Sequence, residues 1–357
     1  MKGEIMKNQS SKIIKIGIVE GEEGLQELSN SKAKTWATCQ MKYKYKYEDK
    51  LRPKRTAVPL RKGSWVHKVL EDYDSGKNWV DTIKTLRDTE YNKLFDEEKA
   101  LLGDLPMEVF RMMRAYFQTY KEIDALHEVI QVEQDFMIRL PGTKIVLTGK
   151  IDKITRDQSG KVWIWEHKTM KSAPPSETFR MTDTQTAMYT WVGEQLAPYL
   201  GYNKEDIAGI IFDYIKTKPP TIPEKLQKGE TSRRKIDCDW YTYAATVKAH
   251  GNDPEDYLDM KEKLKDSTFF IRHYMAKSKV MVRNILQNMV NTGTQIQTLS
   301  PLHVVANLNW TCDRPRCDYR DLCMADLMGH DTSSMIKILY KQEEEEENES
   351  REEESID

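Results

Sequence analysis

Hydrophobic and polar positions follow a helical period in the first third of the chain. Residues 61–76 and 106–125 each place apolar side chains on one side of a helix, and Pro106 stands where a first helical turn tolerates proline. Residues 29–46 open with capping residues and predict another short helix. The first third of the chain is therefore predicted to be helical.

From residue 128 the pattern changes to runs rich in Ile, Val, Trp and Thr. These runs predict three strands, at 128–140, 144–157 and 161–170. The turn "DQSG" between the last two strands is typical of a hairpin.

After the strands, the chain returns to a helical pattern with one interruption. A helix is predicted over Thr178–Leu200 with Gly201 as its stop, then a buried strand at 207–217 and long helices across 254–297. This order predicts a mixed α/β fold with one small central sheet, because a doubly wound fold would alternate strands and helices regularly.

The strand "KVWIWEHKTM" (161–170) contains charged residues in an otherwise apolar run. Side chains alternate in a strand, so Glu166 and Lys168 share one face, and His167 shares the other face with two tryptophans. If the hairpin loop is the three residues Gln158–Gly160, Asp152 lies directly opposite Glu166, about 5 Å away. The sequence thus predicts two carboxylates and a lysine on one face of a hairpin.

Two carboxylates this close repel each other unless one is protonated or a cation lies between them. Oxygen ligands of this kind suit Mg²⁺ or Mn²⁺, and a neighbouring lysine can orient a water or stabilise developing negative charge. The chemistry indicated is metal-assisted hydrolysis of a phosphodiester. The alternative is a plain cross-strand salt bridge on a solvent-facing side of the hairpin.

Composition narrows the class of protein. Of 357 residues, 39% are hydrophobic and 31% charged, and no apolar run approaches the roughly 20 residues of a membrane span. The N-terminus lacks the apolar core of a secretion signal, so we expect a cytoplasmic protein without a membrane partner.

Charge is unevenly distributed along the chain. The net charge is −2, but residues 341–357 hold ten acids and two bases, which leaves the rest of the chain at +6. We expect this tail to be a disordered acidic extension; an alternative is a segment that competes with nucleic acid for a basic groove. The mildly basic remainder permits a nucleic-acid partner without requiring one.

Cysteines are clustered near the C-terminal end of the chain. Cys312, Cys317 and Cys323 stand close together, whereas Cys39 and Cys238 stand alone. In an intracellular chain such clustering favours ligation of a metal or a metal cluster over disulfides.

Several of these motifs together resemble one known family. "GKID" (149–152) followed by "EHK" (166–168) resembles the D…ExK core of the PD-(D/E)XK nuclease superfamily. "DTQTAMYTW" (183–191) is similar to the Q-x-x-x-Y element of its RecB-like branch, and "GSWVH" (63–67) resembles that branch's G-x-x-x-H helix. These elements occur in the family's order.

The resemblance implies a restriction-endonuclease-like core and a role for each matched residue. Asp152, Glu166 and His67 would ligate the divalent metal, with the backbone carbonyl of His167 as a fourth ligand. Lys168 would act on the attacking water, which makes Asp152, Glu166, Lys168 and His67 the catalytic set. Gln185 and Tyr189 would contact DNA beside the cut, with tyrosine offering a stacking surface.

RecB-like nucleases of the AddB and CRISPR-associated kinds also carry a 4Fe–4S cluster. The resemblance implies Cys39, Cys312, Cys317 and Cys323 as its ligands, so that the cluster would join the helical N- and C-terminal parts of the chain. Gln40 stands where that family often has proline, and the spacing of the first two clustered cysteines is wider than C-x-x-C. A zinc site at the same cysteines is the alternative. Cys238 has no place in the pattern and is expected to be a free thiol.

The expected function is a Mg²⁺- or Mn²⁺-dependent DNA exonuclease acting on DNA ends or single strands. The domain predicted for it is a single one over residues 1–340, with a catalytic core at about 126–217 and the acidic tail after it. The chain contains no P-loop motif, and the family's stand-alone members are mostly exonucleases. A non-cutting DNA-binding or inhibitor protein on the same scaffold, or a structure-specific endonuclease, are the alternatives.

Further expectations concern the protein's surroundings. They are a phage or mobile-element origin, hence the host cytoplasm, and partner proteins from recombination, repair or replication. Last, "KYKYKY" (42–47) would present lysines and tyrosines on opposite faces if it formed a strand, which suits single-stranded nucleic acid; the alternative is an amphipathic edge segment.

Overall fold

The strands and helices follow the order expected of a mixed α/β fold. The structure, a computed structural model, describes residues 13–54, 58–171, 176–265, 267, 269–299, 304–312 and 317–342. The predicted acidic tail falls outside these residues from residue 343 onward; its first two residues, Lys341 and Gln342, form the end of a strand.

Nine strands and thirteen α-helices lie in the described part of the chain. The strands are β1 (Ile14–Ile16), β2 (Gln26–Leu28), β3 (Leu51–Pro53), β4 (His127–Arg139), β5 (Ile145–Asp157), β6 (Val162–Met170), β7 (Ile207–Lys216), β8 (Phe270–Ala276) and β9 (Tyr340–Gln342). The helices are α1 (Asn30–Thr38), α2 (Gln40–Tyr43), α3 (Val58–Asp74), α4 (Trp79–Thr89), α5 (Asp96–Leu102), α6 (Leu105–Asp124), α7 (Glu177–Met181), α8 (Thr184–Leu200), α9 (Trp240–Ala249), α10 (Leu258–Lys263), α11 (Lys279–Leu299), α12 (Arg320–Leu327) and α13 (Ser333–Leu339).

By packing, the described residues form two units that are interleaved in sequence and fall within the following ranges. The larger unit comprises Met1–Ile14, Ala57–Asp135 and Lys150–Val282. The smaller unit comprises Lys15–Thr56, Phe136–Gly149 and Arg283–Asp357.

In the larger unit, a mixed sheet has the strand order β4–β5–β6–β7–β8. Neighbours β5 and β6 run antiparallel, β6 and β7 parallel, and β7 and β8 antiparallel. Helices α3, α4 and α6 pack together through a core that includes Trp65, Val69, Met112 and Tyr116. The middle strand β6 is therefore flanked on both edges by other strands and is well buried.

In the smaller unit, β2 runs parallel to the first residues of β5, with Leu28 opposite Leu147. A second, two-stranded sheet pairs β3 with β9 in antiparallel fashion. Its core contains Tyr45, Tyr319 and Tyr340, and the ring of Tyr319 stacks on that of Tyr340. No helix in the described residues combines the length and the apolar character that crossing a bilayer demands.

Most of the predicted elements are confirmed. The helices predicted at 61–76 and 106–125 are α3 and α6, and the four predicted strands are β4 to β7. The helix predicted over Thr178–Leu200 is divided into α7 and α8, because the Asp183 side chain accepts a hydrogen bond from the Gln185 backbone and starts a new helix. Gly201 ends α8 with a left-handed backbone, as predicted.

One local prediction was wrong. The long helices expected across 254–297 are interrupted by β8, which pairs along its length with β7. The short helix predicted at 29–46 is confirmed as α1 and α2, and "KYKYKY" lies in α2 and a following π-helical turn, Lys44–Glu48, rather than in a strand. Its lysines and tyrosines are therefore not sorted onto two opposite faces.

Candidate functional site

The hairpin of β5 and β6 has the register that its loop length predicted. Lys153 lies opposite Trp165 and Ile154 opposite Ile164, and one more step along this ladder brings Asp152 to Glu166. The three-residue loop is held by the Asp157 carboxylate, which accepts hydrogen bonds from the backbone N–H groups of Ser159 (2.8 Å) and Lys161 (3.0 Å). Loop geometry thus determines which residues face each other at the far end of the hairpin.

Asp152 and Glu166 form a pair of enclosed carboxylates. Glu166 is 7% exposed and accepts a hydrogen bond from the Lys168 ammonium on the same face of β6. Burial, and then the negative charge of Glu166, raise the pKa of Asp152 to about 7. The raised pKa shows that, without a cation, the enclosed pair is unfavourable in its doubly ionised form.

His67 reaches this pair from helix α3. Its Nδ1 lies 3.9 Å from Asp152 Oδ2, and its ring hydrogen-bonds the backbone of His167. The helix can approach β6 because Gly63, one turn earlier, has no side chain: a Cβ there would lie 2.9 Å from Thr169 Oγ1. Burial, and then the charges of His167 and Lys168, lower the pKa of His67 to about 4, which keeps the imidazole neutral and able to bind a metal.

Gln185 and Tyr189 lie near the carboxylates but are enclosed. They are 5% and 7% exposed, and their side chains hydrogen-bond each other. Burial, followed by the charges of Glu166 and Asp152, raises the pKa of Tyr189 well above its usual range. Neither side chain offers an open stacking surface in this structure, and their contact with DNA stays a prediction.

Behind the site lies a buried charge network that the sequence did not reveal. His167 pairs in register with Asp213 of β7, and its Nδ1 lies 2.8 Å from Asp213 Oδ2. Arg272 of β8 donates from Nε to Asp213 Oδ1 at 3.0 Å, and the Tyr116 hydroxyl donates to Asp213 Oδ2.

The hydrogen bonds and charges of this network determine the pKa values of Asp213 and His167. Burial alone would raise the pKa of Asp213, but the Arg272 charge and the hydrogen bonds from His167 and Tyr116 hold it well below its usual range. Burial acts to lower the pKa of His167, and the hydrogen bond to Asp213 outweighs it, so that the pKa is raised. The available sequence signal was the single aspartate in the otherwise apolar run "IIFDYI".

Within the smaller unit, the four predicted cluster ligands line one cavity. Cys39, Cys312, Cys317 and Cys323 surround a space of about 320 Å³ together with residues that include Lys42 and Tyr45. Burial, and then the neighbouring thiols of Cys39, Cys317 and Cys312, raise the pKa of Cys323 to about 11. Cys238 belongs to the larger unit, where it is buried in an apolar cluster.

Neither group of side chains is a complete metal site as it stands. Among the described residues, no set of three or more His, Cys, Asp or Glu side chains is arranged to hold a metal ion. The donor chemistry nevertheless fits: two carboxylates and a neutral imidazole suit a hard divalent cation, and four thiols around one cavity suit iron–sulfur or zinc.

Comparison with known proteins identifies a sequence family and finds solved structures of weak likeness. The sequence model of the PD-(D/E)XK nuclease superfamily matches residues 27–324. A solved structure described as "Crystal structure of SSO0001" is 14% identical and covers 85% of this chain and 87% of its own, with a TM-score of 0.32. A search of curated proteins gave no match.

Proposed function

The chain belongs to the PD-(D/E)XK nuclease superfamily, and from that premise we propose that it is a metal-dependent exonuclease acting on DNA ends or single strands. The observation that carries the proposal is the pair of enclosed carboxylates, Asp152 and Glu166, with Lys168 bonded to one and His67 close to the other. A salt bridge alone gives no reason to place two like charges together inside a protein.

Asp152, Glu166 and the neutral His67 would hold the cation, with the backbone carbonyl of His167 beside them. A bound Mg²⁺ or Mn²⁺ would supply Lewis acidity and an acidified water. Lys168 is about a third exposed, so its ammonium can leave Glu166 and stabilise negative charge that develops on a phosphate oxygen. Gln185 and Tyr189, which are buried near the carboxylates, would exclude water from them, and their proposed contact with DNA would require them to become more exposed.

A structural 4Fe–4S cluster in the cysteine cavity is a separate part of the proposal. It is supported by the four thiols that line one cavity of the smaller unit. Zinc would satisfy the same ligands, and metal analysis of protein purified without oxygen distinguishes the two. Iron with broad absorption near 400 nm is expected, whereas a colourless zinc protein would contradict the cluster.

The nuclease proposal is tested with end-labelled DNA. Protein with Mg²⁺ or Mn²⁺ should release nucleotides from linear single- or double-stranded DNA, and EDTA should stop the reaction. Asp152→Ala and Lys168→Ala should each lose at least about a hundredfold in rate, because each removes a group aimed at the reacting phosphate. Lys84→Ala, which removes an exposed lysine from α4, is the matched control and should cut normally.

The form of the DNA substrate also distinguishes an exonuclease from the alternative functions. Cleavage of closed circular DNA would indicate an endonuclease, and DNA binding without cleavage in any metal would indicate a non-cutting binding protein. Full activity of Lys168→Ala would overturn the assigned chemistry.

A further inference from the structure

His167 connects the proposed metal site to the buried network on the other side of β6. Its backbone N–H donates to Asp152 Oδ2 at 2.7 Å, on the side of the carboxylates. Its imidazole points to the opposite side and bonds Asp213 of β7. One residue therefore touches a proposed metal ligand through its backbone and a buried charge through its side chain.

Asp213 is itself held rigidly. It is fully buried and accepts hydrogen bonds from Arg272 and Tyr116 as well as from His167. The Arg272 guanidinium is in turn paired with Asp124 and lies 3.5 Å from the centre of the Tyr120 ring. A strand that carried only apolar side chains here would lack these directional restraints.

Charge-assisted hydrogen bonds restrict position as well as adding stability, because they weaken steeply when their geometry is lost. The bond from the His167 side chain to Asp213 therefore restrains the position of the His167 peptide. The Asp152 carboxylate is oriented by that same peptide. Fixing the His167 side chain therefore also fixes the direction in which Asp152 presents its oxygens.

We propose that Asp213 and Arg272 are positioning residues that act through His167 to orient Asp152 for binding of a divalent cation. The inference rests on the proposed function, since it concerns the metal that this function requires. Partners that orient metal ligands in this way typically contribute about 10- to 100-fold to metal affinity.

The test measures Mn²⁺ binding without DNA, from the electron paramagnetic resonance signal of free Mn²⁺. His167→Leu removes the donor to Asp213, and Mn²⁺ should bind at least about tenfold more weakly. His167→Asn keeps a donor near the position of Nδ1, and binding should be restored towards the wild-type affinity. Asp213→Asn keeps the shape but not the charge and should also weaken binding.

A second comparison checks that Asp213 acts through His167. In the double variant of His167→Leu with Asp213→Asn, the affinity should equal that of His167→Leu alone, because the route from Asp213 is already broken. Tyr202→Phe is the control: it removes the buried hydrogen bond that the Tyr202 hydroxyl donates to the Gly193 carbonyl, at 2.9 Å, a bond that involves none of the network's residues. It should lower thermal stability and leave Mn²⁺ affinity unchanged.

Wild-type affinity in both His167→Leu and Asp213→Asn overturns the inference, as does an equal loss in Tyr202→Phe. If His167→Leu does not fold, the contrast between His167→Asn and Asp213→Asn decides in the same way. Wild-type protein that binds Mn²⁺ at Asp152 but cuts no DNA would refute the proposed function alone, and the variant affinities would still decide the inference. Wild-type protein that binds no Mn²⁺ refutes both.

Discussion

Replacing Asp152 with asparagine should make the metal-free protein more stable while abolishing its metal site. The side chain is 13% exposed and shares an enclosed space with Glu166. Asparagine keeps an oxygen that can accept the His167 N–H, but it removes one of the two like charges. The substitution therefore isolates the cost of the carboxylate pair.

The magnitude follows from the pKa of Asp152. Folding raises that pKa from 3.8 to about 7, so the folded protein holds a proton that the unfolded chain has released between these two values. The contribution of Asp152 to the stability of the metal-free wild type is therefore highest below about pH 4 and falls as the pH rises towards 7. Above pH 7 this contribution no longer changes. At about 1.4 kcal/mol per unit, the loss reaches at most roughly 4 kcal/mol.

Urea unfolding of both proteins in EDTA, at pH 5.5 and pH 8, measures the effect. We expect Asp152→Asn to exceed the wild type by about 2–4 kcal/mol at pH 8 and by about half as much at pH 5.5, because at pH 5.5 the pH has passed only about half of the interval between the unfolded and the folded pKa of Asp152. Added Mn²⁺ should stabilise the wild type only. An asparagine variant that is less stable than the wild type at pH 8 would refute the account of the carboxylate pair.

Two further substitutions test how the sites are built. Gly63→Ala brings a Cβ to 2.9 Å from Thr169 Oγ1, so it should push α3 away from β6, lower the free energy of unfolding by about 1–3 kcal/mol and weaken Mn²⁺ binding. Adding Thr169→Ala should recover both the stability and the binding. If it recovers neither, the close approach of α3 to β6 does not depend on Gly63. Cys312→Ala should lose the metal-dependent absorption and have a lower melting temperature. Cys238→Ala, which lies outside the cavity, should keep the absorption. Equal spectra from the two variants would show that Cys312 is not a ligand.

The hairpin could be predicted from sequence because its determinants are local. A loop of known length with glycine at its end fixes the register, and alternation then assigns each residue of β6 to a face. Gly160 does have the positive φ, +83°, that such a turn demands. The helix ends at Pro106 and Gly201 were predictable for the same reason, since capping depends on neighbours along the chain.

Elements that depend on distant partners could not be predicted in the same way. The segment "FIRHYMA" of β8 is short and charged, and it becomes a strand because β7 offers it an edge. The role of Asp213 was hidden for a related reason, since its partner Arg272 lies on that unrecognised strand. In "KYKYKY" the alternation of lysine and tyrosine left a strand open beside the predicted helix, and the burial of Tyr43 and Tyr45 in a helical segment decides between the two.

The turn held by Asp157 also limits how this chain can diverge. Surface loops usually tolerate insertions, because adding residues to them costs little entropy. Here one additional residue between Asp157 and Lys161 could shift the register of β6 by one position. Because side chains alternate in a strand, that shift would place His167 on the face of Asp152 and turn the Glu166 carboxylate into the core. The length of this exposed turn is therefore under the same constraint as the carboxylates themselves, and in an alignment of related chains it should behave as a fixed position rather than as a variable loop.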